Sequence, residues 1–310
     1  MTTWAAQPIA EVTAFGLSAG AVFGLLALGL VLIYRTTGVI NFAHWSIGLL
    51  GLVAYSLVTG AGLPTPLGVV IAIPVSIAAG IAAYRFVFRR IPRANQLIVV
   101  LIAFGMAQLY SSIGAMVLGF QNFTQLRGWL PAGSMEIGGV AFRSTEVITF
   151  LSAIGIAFGF LIWFKLSRTG KGLRAVAQNR EAAMLAGIDE KRYSSIAWGI
   201  GSALAALALL LVLPHTAGER GGLITTFDLT PLGTLLIPAF GAALVGGLVH
   251  LPMALVGGIV FGLSRELLVL APEPWSEMRS VVAALLIVFL LLLRTERFFA
   301  TRQELEALEA

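Results

Sequence analysis

Charged residues in this chain fall in short clusters, and between them run apolar stretches of about twenty residues, the length a helix needs to cross a bilayer. In hydrocarbon the backbone must satisfy its own hydrogen bonds, which leaves little choice of fold. The candidates lie at residues 12–34, 42–60, 67–88, 97–119, 145–164, 194–213 and 279–293. A further stretch, 233–270, is too long for one span, and His250-Leu251-Pro252 falls near its middle. Proline removes a backbone donor and disfavours helix at the preceding residue, so two short helices joined by a tight turn are expected there. The expected architecture is therefore an all-α polytopic transmembrane bundle of eight or nine membrane-embedded helices. It occupies one domain, 1–310, with residues 165–193 as a loop inside it.

Composition narrows the functional classes. Hydrophobic residues make up 58% of the chain and charged residues 11%, with a mean hydropathy of +0.93, whereas soluble domains carry about 25% charge. There is no cysteine, so disulfides, thiolate metal sites and cysteine nucleophiles are excluded. The net charge of +5 is accounted for by basic residues flanking spans, which argues against a nucleic-acid partner. No cleavable signal peptide is expected, because the first eleven residues lack a basic start and the apolar run that follows is long enough to be retained.

Fifteen of the twenty basic residues sit in alternate loops: Arg35, then Arg85 to Arg93, then Lys165 to Arg192, then Arg294 to Arg302. Positive loops stay cytoplasmic. The N-terminus is then outside and the C-terminus inside, in a bacterial-type cytoplasmic (inner) membrane. The opposite loops, Gln121 to Arg143 and Pro214 to Pro231, are read as either solvated connectors or docking surfaces. Glycines at small-xxx-small spacing, namely Gly16, Gly20 and Gly24, and Gly258 and Gly262, mark close helix packing.

The stretch Leu173 to Gly187 is rich in helix formers. Leu173, Val176, Ala177, Met184 and Leu185 share one stripe, while Arg174, Gln178, Arg180 and Glu181 occupy other faces. Gly187 is placed to end the helix, and Asp189-Glu190-Lys191-Arg192 returns the chain to the membrane surface. Spacing alone leaves two readings, a helix lying in the lipid interface and a helix docking a soluble partner.

Two motifs carry a resemblance. Glu181-Ala182-Ala183, with Gly187 four residues later, is similar to the EAA loop of ATP-binding-cassette importer permeases, the short helix that docks on an ATPase subunit. Tyr34-Arg35-Thr36-Thr37-Gly38-Val39-Ile40-Asn41-Phe42-Ala43-His44 resembles the junction between the first two spans in the smaller permease type of branched-chain amino-acid importers, with Trp45 where that family usually has glycine. The run Ala239 to Gly247, then Leu251-Pro252, Gly257-Gly258 and Gly262, is similar to that family's late spans. The resemblance implies a non-catalytic permease subunit moving branched-chain or related small amino acids by alternating access. It also implies separate ATP-binding subunits, a second homologous permease or a homodimer, and an external substrate-binding protein. No cofactor is expected in this chain, since ATP would be bound by the partner subunits, and there is no G-x-x-x-x-G-K-[ST] loop. The residues it assigns to ATPase coupling are Glu181, Ala182, Ala183, Gly187 and Arg174.

For the translocation path the candidates are Gly38, Asn41, Phe42, His44 and Gln108. Asn41 and His44 are three apart and share a helix face, so they either cap the second span or contact substrate. Gln108 either lines a path or acts as interhelical glue. Arg265 and Glu266 diverge by about 100° on a helix and are not expected to pair; snorkelling at the interface is expected instead. The three histidines are scattered and make no metal pattern. Two other classes compete: an ion-coupled secondary transporter, for which the spans hold few ionisable groups, and an intramembrane enzyme, for which no motif is present. Within the importer reading, urea or a short amide competes as substrate.

Overall fold

The computed structural model describes residues 3–91, 96–118, 129–213 except 132, 138 and 139, and 235–272, with scattered positions up to 292. Among the described residues six helices are long and apolar enough to cross a membrane, and the expected 279–293 span lies largely outside them. The first, α1 (Thr3–Thr37), is longer than its apolar run by about a turn at its C-terminal end, and it is the hub of the bundle. Its side chains from Ser18 to Ile33 are almost wholly buried, because α10 (Leu251–Leu267), α8 (Glu190–Val212), α5 (Ser144–Leu166) and α9 (Ile237–Val245) pack around it. A helix that is apolar on every face is stable only when enclosed in this way or by lipid.

Beside α1 stand α2 (His44–Gly60), α5 and α8, while α3 (Thr65–Ala82) packs on α2 and α8 and α4 (Gln96–Leu118) on α2. Pro64 precedes α3, and the helix widens into a π turn over Ala83–Val87 and then tightens into a 3-10 turn over Phe88–Arg90. Gly80 of α3 meets Ser202 and the Trp198 carbonyl of α8, and Gly48 of α2 meets Ala205. Three helices thereby approach at backbone distance. Before α5 the loop folds into an antiparallel hairpin, β1 (Ser134–Ile137) with β2 (Val140–Arg143), pairing Ser134 with Arg143. The connector there is thus partly built structure, and the Trp129 indole donates to the Leu210 carbonyl at 2.9 Å to hold it to α8. Residues 214–231, the other expected external loop, lie outside the described residues.

The 233–270 stretch does divide in two. α9 (Ile237–Val245) and α10 (Leu251–Leu267) are joined by a turn in which Gly247 and Leu248 both have positive φ, 64° and 59°. Leu248 N–H donates to the Ala243 carbonyl at 2.9 Å and Gly247 N–H to Leu244 at 2.8 Å, the paired bonds of a Schellman stop. Pro252 sits in the first turn of α10, where its missing N–H costs nothing. The α1–α10 seam is antiparallel: Gly24 faces Leu255, Gly20 faces Gly258 and Ile259, and Gly16 faces Gly262. Continuing that register puts Leu251 level with about residue 28, so the turn stops roughly 14 Å short of the Thr37 end of α1 at 1.5 Å per residue. The turn is set back from that end, with Gly246 and Leu248 buried and Val249 and His250 exposed, and the pair forms a hairpin that does not run the length of α1.

Candidate functional site

The end of the bundle that carries Arg35, Arg89, Arg174, Arg180 and Lys191 encloses a cavity of about 1330 Å3, and the cavity reaches Val249 in the set-back turn. Among the described residues Glu190 is the only carboxylate on its wall. Two short helices close this end from below.

They begin where α5 stops. Ser167 caps α6 (Arg168–Gln178) by accepting from Gly170 N–H at 2.8 Å, which is the ordinary device for an orphan donor at a helix start. Gly170 lies against the Phe164 carbonyl and Gly172 against the Tyr193 ring, so both must lack a side chain for α6 to fold back on α5 and α8. Arg174 then secures the corner. Its guanidinium donates to the Phe164 carbonyl and lies 5.6 Å from the Phe164 ring centroid, satisfying a C-terminal carbonyl of α5 with a cation.

The single helix expected over Leu173–Gly187 is two. Asn179 is extended, with φ −152° and ψ 110°, and its Oδ1 accepts from Ala182 N–H at 3.0 Å, so it caps a new helix, α7 (Arg180–Leu185). Asparagine competes for backbone hydrogen bonds in this way, which is why it breaks a run of helix formers. The break also splits the expected stripe: Leu173 and Val176 are buried, whereas Met184 is 49% and Leu185 91% exposed. Gly187 does end the helix, with φ +79°, Gly187 N–H to Met184 at 2.9 Å and Ile188 N–H to Ala183 at 2.9 Å. Nothing lies within 4 Å of a Cβ built at Gly187, so Gly187→Ala costs only the left-handed conformation, about 1 kcal/mol. Faster amide exchange confined to residues 183–188 is the expected reading of that variant.

Of the coupling residues, Glu181, Ala182 and Gly187 are exposed, Ala183 is the buried anchor of α7, and Arg174 points into the corner with α5. Asp189 to Arg192 form the start of α8 rather than a surface return, since the Asp189 carboxylate accepts from the Lys191 and Arg192 amides at 2.9 and 3.2 Å. Glu190 is buried there and pairs with Arg180 at 3.3 Å.

The path candidates do not converge. Gly38 lines the cavity with φ +71°. Asn41 is fully buried, and its Oδ1 accepts from Ala43 N–H at 3.0 Å, shaping the turn into α2. His44 opens α2 with its imidazole against the bare backbone of Gly29 and facing the Leu26 carbonyl. Neither residue lines the cavity. Phe42 bridges helices, stacked on Phe104 of α4 at 4.9 Å and tilted against Phe240 of α9 at 5.6 Å. Gln108 is exposed on the outer face of α4. Arg265 and Glu266, expected apart, do meet at 3.5 Å, with Glu266 buried against the α1 seam; the long arginine stem bends back over its neighbour. Among the described residues no His, Asp and Glu cluster suits a metal.

Apolar helices around an enclosed hub, a hairpin that stops short of the hub's end and a pair of short helices below a basic cavity define a polytopic transport-type membrane subunit. Residues 12–291 match the family model described as branched-chain amino acid transport system / permease component, and the chain belongs to that family. It is 29% identical over 294 residues to the high-affinity branched-chain amino acid transport system permease protein BraD of Pseudomonas aeruginosa, covering 90% of this chain and 92% of that one. It is 27% identical to LivH of Escherichia coli, with the same coverage of 90% and 92%. Among solved structures, PsaBC from Streptococcus pneumoniae in complex with Fab has the same fold at a TM-score of 0.50 and 17% identity, over 89% of this chain and 90% of that one.

The feature that sequence reasoning missed is the contact set of Arg180. Its guanidinium donates to the Thr36 carbonyl at the end of α1 as well as pairing with Glu190. The signals were a basic residue one position before the Glu-Ala-Ala string and an acidic residue after Asp189. Neither announces a partner 144 residues away.

Proposed function

We propose that this chain is the membrane-spanning permease subunit of an ATP-driven importer for branched-chain or related small amino acids, with α7 as the helix that ATP-binding subunits grip. The observation that carries this reading is the protruding α7, whose Glu181, Met184 and Leu185 face away from the bundle while Arg180 and Ala183 anchor it. Leu185 at 91% exposure is the sort of apolar knob that a partner surface covers. Residues 165–193 then lie in the cytoplasm, the N-terminus outside, and the protein in a bacterial-type inner membrane. The chain carries no ATP itself. The second permease subunit, a homologue or another copy, completes the path, and an external binding protein delivers the amino acid.

The test is reconstitution of the chain with its ATP-binding subunits and binding protein in liposomes. ATP-dependent uptake of radiolabelled leucine, competed by isoleucine and valine, is expected. Competition by urea or a short amide instead would reassign the substrate, and uptake driven by an ion gradient without ATP would overturn the reading.

A further inference from the structure

Arg180 and Glu181 are neighbours on α7 that point opposite ways: Glu181 is exposed, and Arg180 reaches into the bundle. The Arg180 guanidinium touches two other helices. Through Nη2 it donates to the Thr36 carbonyl, in the last turn of α1. Through Nε it lies 3.3 Å from Oε1 of Glu190, the first residue of α8. Both targets are sheltered, Thr36 being fully buried and Glu190 8% exposed. A cation on a free carbonyl at a helix C-terminus and a carboxylate on its other edge use the rigid fork of arginine, which lysine lacks.

Thr36 is also the point where α1 hands over to the turn that shapes α2. Gly38 N–H closes on Tyr34 at 2.7 Å, the chain reverses at Gly38, and Asn41 then sets the amide of Ala43 just before His44. The Thr36 and Thr37 hydroxyls are tied back to Leu32 and Ile33 carbonyls, so the end of α1 is stiff. A pull on α7 is therefore delivered through one guanidinium to α1 and its junction with α2, and it reaches α8 both through Glu190 and along the short 186–189 link between the two helices.

We propose that Arg180 is the positioning residue that couples displacement of α7 to the α1–α2 junction and the start of α8, with Glu190 holding the guanidinium in register. This rests on the reading of α7 as the ATPase-docking helix and adds the path by which docking acts on the bundle. Coupling by such a contact requires that both ends be biased by one element with two arrangements, and α7, set off from α6 by the extended Asn179, is the element proposed to move.

The experiment uses the whole complex in nanodiscs, comparing wild type with Arg180→Gln, Arg180→Lys and Glu190→Gln, and reads three quantities: ATP-binding subunits retained on purification, ATP hydrolysis rate, and leucine moved per ATP. For Arg180→Gln, retained subunits, continuing hydrolysis and a fall of about five- to tenfold in leucine moved per ATP are expected. Arg180→Lys and Glu190→Gln should fall between it and wild type, because each keeps one of the two contacts. The chain has no cysteine, so spin labels placed at Val39, beside the α1–α2 junction, and at Ala186, the C-cap of α7, report the separation of the two elements directly. A single narrow distance that persists through the ATP cycle in wild type and broadens in Arg180→Gln is expected.

Unchanged leucine per ATP in Arg180→Gln overturns the proposal. Loss of the ATP-binding subunits from that variant overturns it too, by making Arg180 part of the docking surface itself. If Arg180→Gln does not accumulate, Glu190→Gln decides in the same way, since it leaves the Thr36 contact in place. Failure of wild type to retain ATP-binding subunits is a different result, and it removes the docking reading beneath the proposal.

Discussion

Leu185→Asp is expected to abolish ATP-driven uptake while the protein remains in the membrane at its normal level, and Glu181→Lys is expected to do the same. Leu185 makes little contact with its own chain, being 91% exposed, and Met184 beside it is 49% exposed. The fold therefore loses little when the side chain changes, because surface substitutions away from special contacts move stability by about 0.5 kcal/mol or less. A partner that buries the leucine loses much more: about 1.5–3 kcal/mol of apolar burial, plus the cost of desolvating a carboxylate in the same place. That is on the order of a hundredfold in affinity, at 1.4 kcal/mol per factor of ten. Glu181 lies in the first turn of α7, and reversing its sign removes both its own contact and a charge favourable to the helix dipole, worth about 0.3–1 kcal/mol. The measurements are leucine uptake, ATPase retention and the amount of chain in isolated membranes. Normal uptake by Leu185→Asp, with normal amounts of protein, would show that α7 lies on lipid or in water and is no docking element.

The α1 to α8 order was legible because apolar runs and charge clusters are strong signals. Helix ends were less so: α1 reaches Thr37 beyond its apolar run, because Thr36 and Thr37 return their hydroxyls to the helix. The split of α6 from α7 was missed since Asn179 is one residue in a favourable window, and its extended φ is fixed by capping rather than by propensity. Hairpin β1–β2 was hidden in a loop too short and mixed for periodicity to show. Glu181, Ala182, Ala183 and Gly187 were readable as a local string, and the family of the chain was readable from its first junction. The path candidates were not readable in the same way. Asn41 and His44 are polar residues beside a span. The local reading, a side chain that shapes the entry to the second span, holds for Asn41, whose oxygen accepts from Ala43 two residues on. Only tertiary packing reveals that His44 fits the gap over Gly29. Arg180 was invisible for a related reason: a contact across 144 residues leaves no periodic trace.

Gly258→Ala should lower the apparent melting temperature of the purified protein, whereas Gly155→Ala should leave it unchanged or raise it. Both glycines sit inside membrane helices, where alanine is intrinsically the better residue by about 1 kcal/mol. What differs is the space outside. A Cβ on Gly155 meets nothing within 4 Å. A Cβ on Gly258 falls 2.5 Å from the Gly24 Cα and 2.6 Å from the Gly20 carbonyl oxygen, both backbone atoms of α1 that no rotamer change can remove. Gly20 returns the contact, its own Cβ position lying 2.7 Å from the Ile259 Cα. Even a methyl group must push α1 and α10 apart, and the separation spreads along the seam to Gly16 and Gly262 and to Leu255 against Gly24. Overpacking of this type costs about 1–3 kcal/mol at one site, and here it displaces the hub on which α5, α8 and α9 also pack. Gly258→Val, which adds two further carbons, should leave no folded protein in detergent. A Gly258→Ala protein as stable as wild type by size-exclusion fluorescence on heating would mean that α1 and α10 are not in backbone contact, and the register that sets the Val249 turn back from the end of α1 would fall with it.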